Sequence, residues 1–286
     1  MSTFDLGQRF VQWATRQEHI KGIVHIGSYV RLANLVGSAD LYSDWDFQII
    51  SSTPEVFENP SEFTSEIGHP VAVAARGGRL GAVRKVTILF SDGEIDIVVI
   101  PLLQVTQALT LVKSRSYFYQ PSILNSLEDL AAVLVGGYKI IKGDKSIIDL
   151  YLFIQSNVPA PRLSDDAIRT AADGFVCDYV STIRKLQRGE FLAAQRWIHH
   201  YLAEVNFRLA HEMRQRRSLS TFPDARRIEQ LGDESLRISL EVRAELTRES
   251  LTDAAQKCAW TLRELVRSMI GAGWIWPPLP STLSTK

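Results

Sequence analysis

Asp96 sits inside an apolar run, Ile95-Asp96-Ile97-Val98-Val99-Ile100-Pro101. A short Ile/Val-rich run that starts after a Ser91-Asp92-Gly93-Glu94 turn signal reads as a strand buried in a sheet. A carboxylate buried there without a partner is costly. The fold must therefore bring a metal ion or a cationic group to it, which constrains the chain more than any other single feature. Two more carboxylates stand at the head of another short run, Asp44-Trp45-Asp46-Phe47-Gln48-Ile49-Ile50. Alternate strand residues share a face, so Asp44, Asp46 and Gln48 point one way and Trp45, Phe47 and Ile49 the other. If the two strands are neighbours, three carboxylates converge.

Ahead of them, Gly27-Ser28 closes the run Ile20-Lys21-Gly22-Ile23-Val24-His25-Ile26. Glycine permits close backbone approach, and free N–H groups at a helix start suit a phosphate oxygen. Mg²⁺ prefers oxygen ligands and is usually held by a few carboxylates together with substrate phosphates. Two metals so held clamp the attacking and leaving oxygens of an in-line displacement at phosphorus. Asp44, Asp46 and Asp96 are thus candidate metal ligands and catalytic residues, and Gly27 and Ser28 candidate triphosphate contacts.

The bulk numbers narrow the classes. A chain of 286 residues fits about two domains. Lys+Arg and Asp+Glu both total 32, against the basic excess of a general nucleic-acid binder. Cys177 and Cys258 lie in apolar helical patterns and read as buried free thiols of a reducing, cytoplasmic compartment. The N-terminal segment lacks the regions of a signal peptide, and no apolar run reaches membrane-span length. No nucleic-acid or membrane partner is therefore expected.

The first half alternates strand and helix patterns, with strands also expected near 71–75, 85–90 and 139–141 and helices near 4–18, 29–35, 102–113 and 127–135. Asn157-Val158-Pro159-Ala160-Pro161-Arg162 is a linker, because neither proline tolerates a helix interior. Beyond it the apolar period is 3.6: Ser164 caps a helix carrying Ile168, Phe175, Tyr179 and Ile183, a second carries Trp197, Ile198, Leu202 and Leu209, and a third carries Leu251, Cys258, Leu262 and Met269 before Gly271. The expected fold class is α+β: a mixed sheet with flanking helices over 1–158, followed by a C-terminal α-helical bundle over 163–286.

In this order, Gly27-Ser28, Tyr42-Ser43-Asp44-Trp45-Asp46-Phe47 and Gly93-Glu94-Ile95-Asp96-Ile97-Val98-Val99-Ile100-Pro101 resemble the pattern of the DNA polymerase β-type nucleotidyltransferase superfamily. Within it the chain is most similar to the aminoglycoside 6-adenylyltransferase group. Ile140-Ile141-Lys142-Gly143-Asp144-Lys145 is similar to a later strand of that group, and Val180-Ser181-Thr182 with Arg188-Gly189-Glu190 to its helical domain. Where the family usually has Arg after Gly-Ser this chain has Tyr29, the nearest arginine being Arg31. The resemblance implies Mg²⁺ on Asp44, Asp46 and Asp96, with Asp96 completing the metal site or acting as general base. It implies a nucleoside triphosphate, best ATP, along Gly27, Ser28 and Arg31. It implies a small hydroxylated acceptor, such as an aminoglycoside, held by the helical domain, with Glu190 and Asp178 as candidate contacts, in a monomer or homodimer. The alternatives are the same chemistry on another antibiotic or a protein hydroxyl, and a non-catalytic nucleotide-binding or toxin–antitoxin-type module.

Other features read as structural. His25 is expected as a packed, hydrogen-bonded core histidine, and Arg214, Arg216 and Arg217 as a solvated helix end. Trp274-Ile275-Trp276-Pro277-Pro278 is expected to pack back on the bundle. Arg76-Gly77-Gly78-Arg79-Leu80-Gly81 lacks the Lys-Ser/Thr of a Walker loop and reads as a mobile loop over the site.

Overall fold

A computed structural model describes residues 3–33, 35–77 and 84–279. The chain divides into two compact units, 1–161 and 162–286. The first is a six-stranded mixed sheet with helices on both faces, and the second is helical, so the fold class is α+β. Among the described residues, no helix is long and apolar enough to cross a membrane. Gly78 to Gly81, the heart of the expected mobile loop, lie outside the described residues.

Helix α1 (Thr3–Arg16) leads into strand β1 (Ile20–Ile26). Strand β2 (Trp45–Ser51) and helix α2 (Ser61–Ile67) follow, then strands β3 (Pro70–Gly77), β4 (Arg84–Phe90) and β5 (Gly93–Pro101). Helices α3 (Leu102–Lys113) and α4 (Pro121–Leu134), strand β6 (Lys139–Lys142) and helix α5 (Lys145–Asn157) complete the unit. The sheet order is β3-β4-β5-β2-β1-β6. Its pairs are antiparallel except β2 with β5, which run parallel.

Period-two alternation sorts the strands into two cores. One face sends Ile23, Phe47, Ile49, Val86, Ile88, Ile95, Ile97 and Val99 against Leu6, Phe10 and Trp13 of α1 and Phe63 and Ile67 of α2. The other sends Val24, Ile26 and Ile50 against buried residues of α3, α4 and α5. Arg9 of α1 pairs with Asp92 in the β4–β5 turn at 2.8 Å. Lys142 Nζ donates to the carbonyls of Thr15 and Gln17 at 3.1 Å, satisfying the open end of α1.

Several elements differ from the sequence expectation. The helix expected over 29–35 is a single 3₁₀ turn, Ser28–Val30, and Ser28 makes no side-chain cap. Helix α4 starts six residues earlier than expected, at Pro121, whose fixed φ suits a first helical position. Helix α5 was not anticipated, because its Ile- and aromatic-rich sequence suits a strand equally well. What settles it is Asp144, whose carboxylate accepts from Ile147 N at 3.0 Å, and a buried stripe of Ile147, Leu150, Tyr151 and Ile154.

In the second unit, α6 (Asp165–Gln187) is capped by Ser164 Oγ accepting from Ala167 N at 3.1 Å. Helix α7 (Phe191–Trp197) continues through a π-helical stretch, Ile198–Ala203, into α8 (Glu204–Arg216). Helices α9 (Glu234–Leu240) and α10 (Arg248–Ile270) follow, and α10 stops at Gly271 with φ +59°. Trp274 donates to Asp173 at 2.8 Å, and Trp276 packs beside Phe175, Tyr179 and Arg263, so this tail lies on the bundle.

Of the basic run at the end of α8, Arg217 is exposed as expected, but Arg214 and Arg216 are not open helix-end charges. Arg214 is buried and donates to Ser220 O and Asp233, because the chain beyond the helix folds back on it. Buried Glu212 accepts from Arg162, Leu163 N and Arg216. Cys258 is buried, its thiol pushed up to about 12 by burial, but Cys177 is exposed, lying just off the stripe of Phe175 and Tyr179.

Gly7 on α1 lies against the Trp45 indole, and a Cβ there would fall 2.4 Å from ring carbons. Gly7→Ala should therefore destabilise the protein by about 1–3 kcal/mol through overpacking, read by urea unfolding. Unchanged stability would show that α1 does not seat on Trp45.

Candidate active site

The parallel register sets Asp46 opposite Asp96 and Trp45 opposite Ile95. Neighbouring strands lie about 4.8 Å apart, so the two carboxylates share a face at adjacent positions. One step of the pleat back, Asp44 and Glu94 fall on that same face. Ligand oxygens of Asp44, Glu94 and Asp96 all lie within 4.8 Å of one another. The Asp46 carboxylate instead lies against Gly27: a Cβ at Gly27 would fall 2.1 Å from Asp46 Oδ2. Gly27 also has φ +81°, so both backbone and space require glycine there. The sequence thus named three of these four acids. Glu94 was missed because it reads as part of the hairpin turn, although its place two residues before Asp96 was the available signal.

Asp96 is buried, and its carboxylate is not left alone. Thr87, its antiparallel partner on β4, donates to Oδ1 at 2.5 Å. Lys85, two residues earlier on the same face, forms an ion pair with Oδ2. The cationic partner that the buried run demanded is therefore present. Partial burial, then Asp96 and Asp44, raise the Glu94 carboxyl above the ordinary carboxylate range, and Lys85 opposes this.

On the other face a row of rings holds β1 against β2. Tyr29 stacks on Trp45 with centroids 4.0 Å apart, and His25 stacks on Trp45 at 5.1 Å and on Phe47 at 4.8 Å. His25 is packed as expected, but its Nε2 is buried without a hydrogen bond. Burial, with Lys139, lowers its pKa to about 4. Ser28, just beyond, is buried, and its Oγ likewise makes no hydrogen bond.

Arg31 Nη1 donates to Gly37 O at 2.9 Å, and its guanidinium lies beside Gly136, so it ties down the loop that leads to Asp44. In the second unit, Glu190 is exposed in the turn between α6 and α7, 3.8 Å from Arg188, and Asp178 is half-buried on α6. Asp144-Lys145 serves the fold: Asp144 caps α5, and Lys145 pairs with Asp149 at 2.9 Å.

The donor set suits a hard divalent cation. All four acids on the face offer carboxylate oxygens, three of them within one ion's reach, and among the described residues no sulfur or imidazole ligand joins the cluster.

No family model and no curated protein matches the chain. Solved structures similar to it include an aminoglycoside 6-adenyltransferase from Bacillus subtilis, at TM-score 0.39 and 12% identity over 96% of this chain and 92% of that one. Another is a nucleotidyltransferase-like protein from Exiguobacterium sibiricum, at TM-score 0.37 and 12% identity over 94% and 77%. Both likenesses are distant.

Gly27→Ala should destabilise by about 1–3 kcal/mol, because its φ of +81° and ψ of −153° suit only glycine and a Cβ would meet Asp46, as read by urea unfolding; wild-type stability would contradict this backbone and the close contact. For Glu94, a raised folded-state pKa means that ionisation opposes folding. Stability therefore falls as pH rises from the ordinary carboxylate value through the raised one. In metal-free buffer Glu94→Gln should melt above wild type at neutral pH and match it below that window. A lower melting temperature at neutral pH would refute the carboxylate crowding.

Proposed function

We propose that residues 1–161 form the catalytic domain of a Mg²⁺-dependent nucleotidyltransferase. The reaction is attack of an acceptor hydroxyl on the α-phosphorus of a nucleoside triphosphate, best ATP, with release of pyrophosphate and transfer of the nucleoside monophosphate. The observation that carries it is the register of β2 and β5, which lays Asp46 beside Asp96, and Asp44 and Glu94 beside them, against the Gly27-Ser28 turn.

Asp44, Asp46 and Asp96 are the proposed metal ligands, with Glu94 adjoining. The metal, when bound, supplies charge neutralisation on the triphosphate and a clamp on the attacking and leaving oxygens. Gly27 lets the backbone approach the phosphates, and the Ser28 hydroxyl, buried without a partner, is proposed to turn out and donate to a phosphate oxygen. Asp96 completes the metal shell or takes the proton of the attacking hydroxyl, a role that needs hydrogen-bond reach. Arg31, which donates to Gly37 O in the loop before Asp44, is proposed to turn from it to the triphosphate.

The acceptor is proposed to be a small hydroxylated molecule, an aminoglycoside being the first to test. Glu190 and Asp178 are the carboxylates proposed to meet its cationic groups. Replacing both by amides should raise KM for the acceptor and leave KM for the nucleotide unchanged.

The test is pyrophosphate release from each triphosphate with Mg²⁺ across a panel of aminoglycosides and other hydroxylated acceptors. Release should require one acceptor class. Asp46→Asn should lower kcat by about 10²–10³, the equivalent of several kcal/mol of charge stabilisation, while keeping the fold. Full activity in that variant would remove Asp46 from the metal site.

A further inference from the structure

We propose that Lys85 is a resident cation of the carboxylate face: its ammonium stands against Asp96 where a divalent ion would bind, and must yield before that ion can enter. The inference rests on the nucleotidyltransferase function and adds a residue that lies on none of the motifs that suggested it.

The placement follows from the sheet. Thr87 is the antiparallel partner of Asp96, and Lys85 lies two residues before it, so both project onto the acidic face. Thr87 holds Oδ1 of Asp96 and Lys85 holds Oδ2, leaving neither oxygen without a donor. The two holders differ in freedom. The Asp96 side chain is 8% exposed, whereas that of Lys85 is 50% exposed, so the lysine stem reaches in from solvent and can swing out without opening the core.

The ammonium also feels more than its direct partner. The carboxylates of Asp46 and Asp44 also attract it. One cation thus offsets repulsion among acids that the sheet forces together. A divalent ion at Oδ2 would meet that ammonium at a few ångströms, where like charges repel strongly. Bare metal therefore binds against a built-in competitor. Metal arriving on a triphosphate brings its own negative charge, and the displaced ammonium then gains phosphate oxygens as partners. Lys85 accordingly couples metal binding to nucleotide binding.

The test counts bound Mn²⁺ by electron paramagnetic resonance on the full-length protein, with and without a non-hydrolysable ATP analogue. Wild type should bind Mn²⁺ alone weakly and gain strongly with the analogue. Lys85→Met, which keeps the stem and loses the charge, should bind Mn²⁺ alone about tenfold more tightly, a modest share of the Coulomb term for a half-exposed pair. It should gain less from the analogue. Lys85→Arg, which keeps the charge, should stay near wild type. Without metal, Lys85→Met should melt below wild type, and Mn²⁺ should raise its melting temperature by the larger increment.

Equal or weaker Mn²⁺ binding by Lys85→Met, with binding still lost in Asp46→Asn, would overturn the role of Lys85 and leave the metal site standing. Absence of Mn²⁺ binding in wild type and Lys85→Met, with and without nucleotide, would overturn the proposed function and this inference with it.

Discussion

The parallel pairing of β2 with β5 is the constraint on which the rest of the first unit depends. It places Asp46 opposite Asp96 and fixes the face on which all four carboxylates stand. A slip of one residue would turn Asp46 toward the apolar core and Phe47 toward the acids, because side chains alternate along a strand. The register is held by burial on the opposite face, where Phe47, Ile49, Ile95, Ile97 and Val99 are completely enclosed. The hydrophobic pattern that makes the core is therefore the same pattern that assembles the charges. Bringing four acids together costs electrostatic energy, and Lys85 and Thr87 on β4 offset part of it at the most buried member.

Much of this was legible in the sequence. Asp96 in an apolar run demanded a partner, and alternation in Asp44-Trp45-Asp46-Phe47-Gln48 put the acids and the core residues on opposite faces. Gln48 obeys the same alternation, buried with Tyr151 donating to its side-chain oxygen at 2.7 Å. The identity of the cation was not legible. Lys85 and Thr87 are unremarkable in sequence, and their part depends on the β4–β5 register, which the hairpin turn fixes and composition does not. Glu94 was hidden likewise, since a turn signal and a site residue coincide at one position.

Charge in the second unit shows how poorly a local run predicts exposure. Arg214 and Arg216 read as a helix end in water, yet one is buried on Asp233 and the other bridges Glu212 and Asp165. Their partners lie 19 and 51 residues away for Asp233 and Asp165, beyond any window of periodicity. The apolar stripes succeeded where the charges did not: helices α6 and α10 run close to the limits that Ser164 and Gly271 mark. Burial of a stripe is dictated by the helix that bears it, whereas burial of an ion pair is dictated by whichever distant segment supplies the counter-charge.

The central claim is that the β2–β5 face holds a divalent ion through Asp44, Asp46 and Asp96. The most direct measurement is anomalous diffraction from crystals grown with Mn²⁺ and a non-hydrolysable ATP analogue. The account predicts an anomalous peak on this face, about 2.0–2.6 Å from oxygens of these carboxylates, as hard divalent ions require, with the triphosphate beside Gly27 and Ser28. A nucleotide bound elsewhere, or a peak on other residues with these acids unligated, would contradict it.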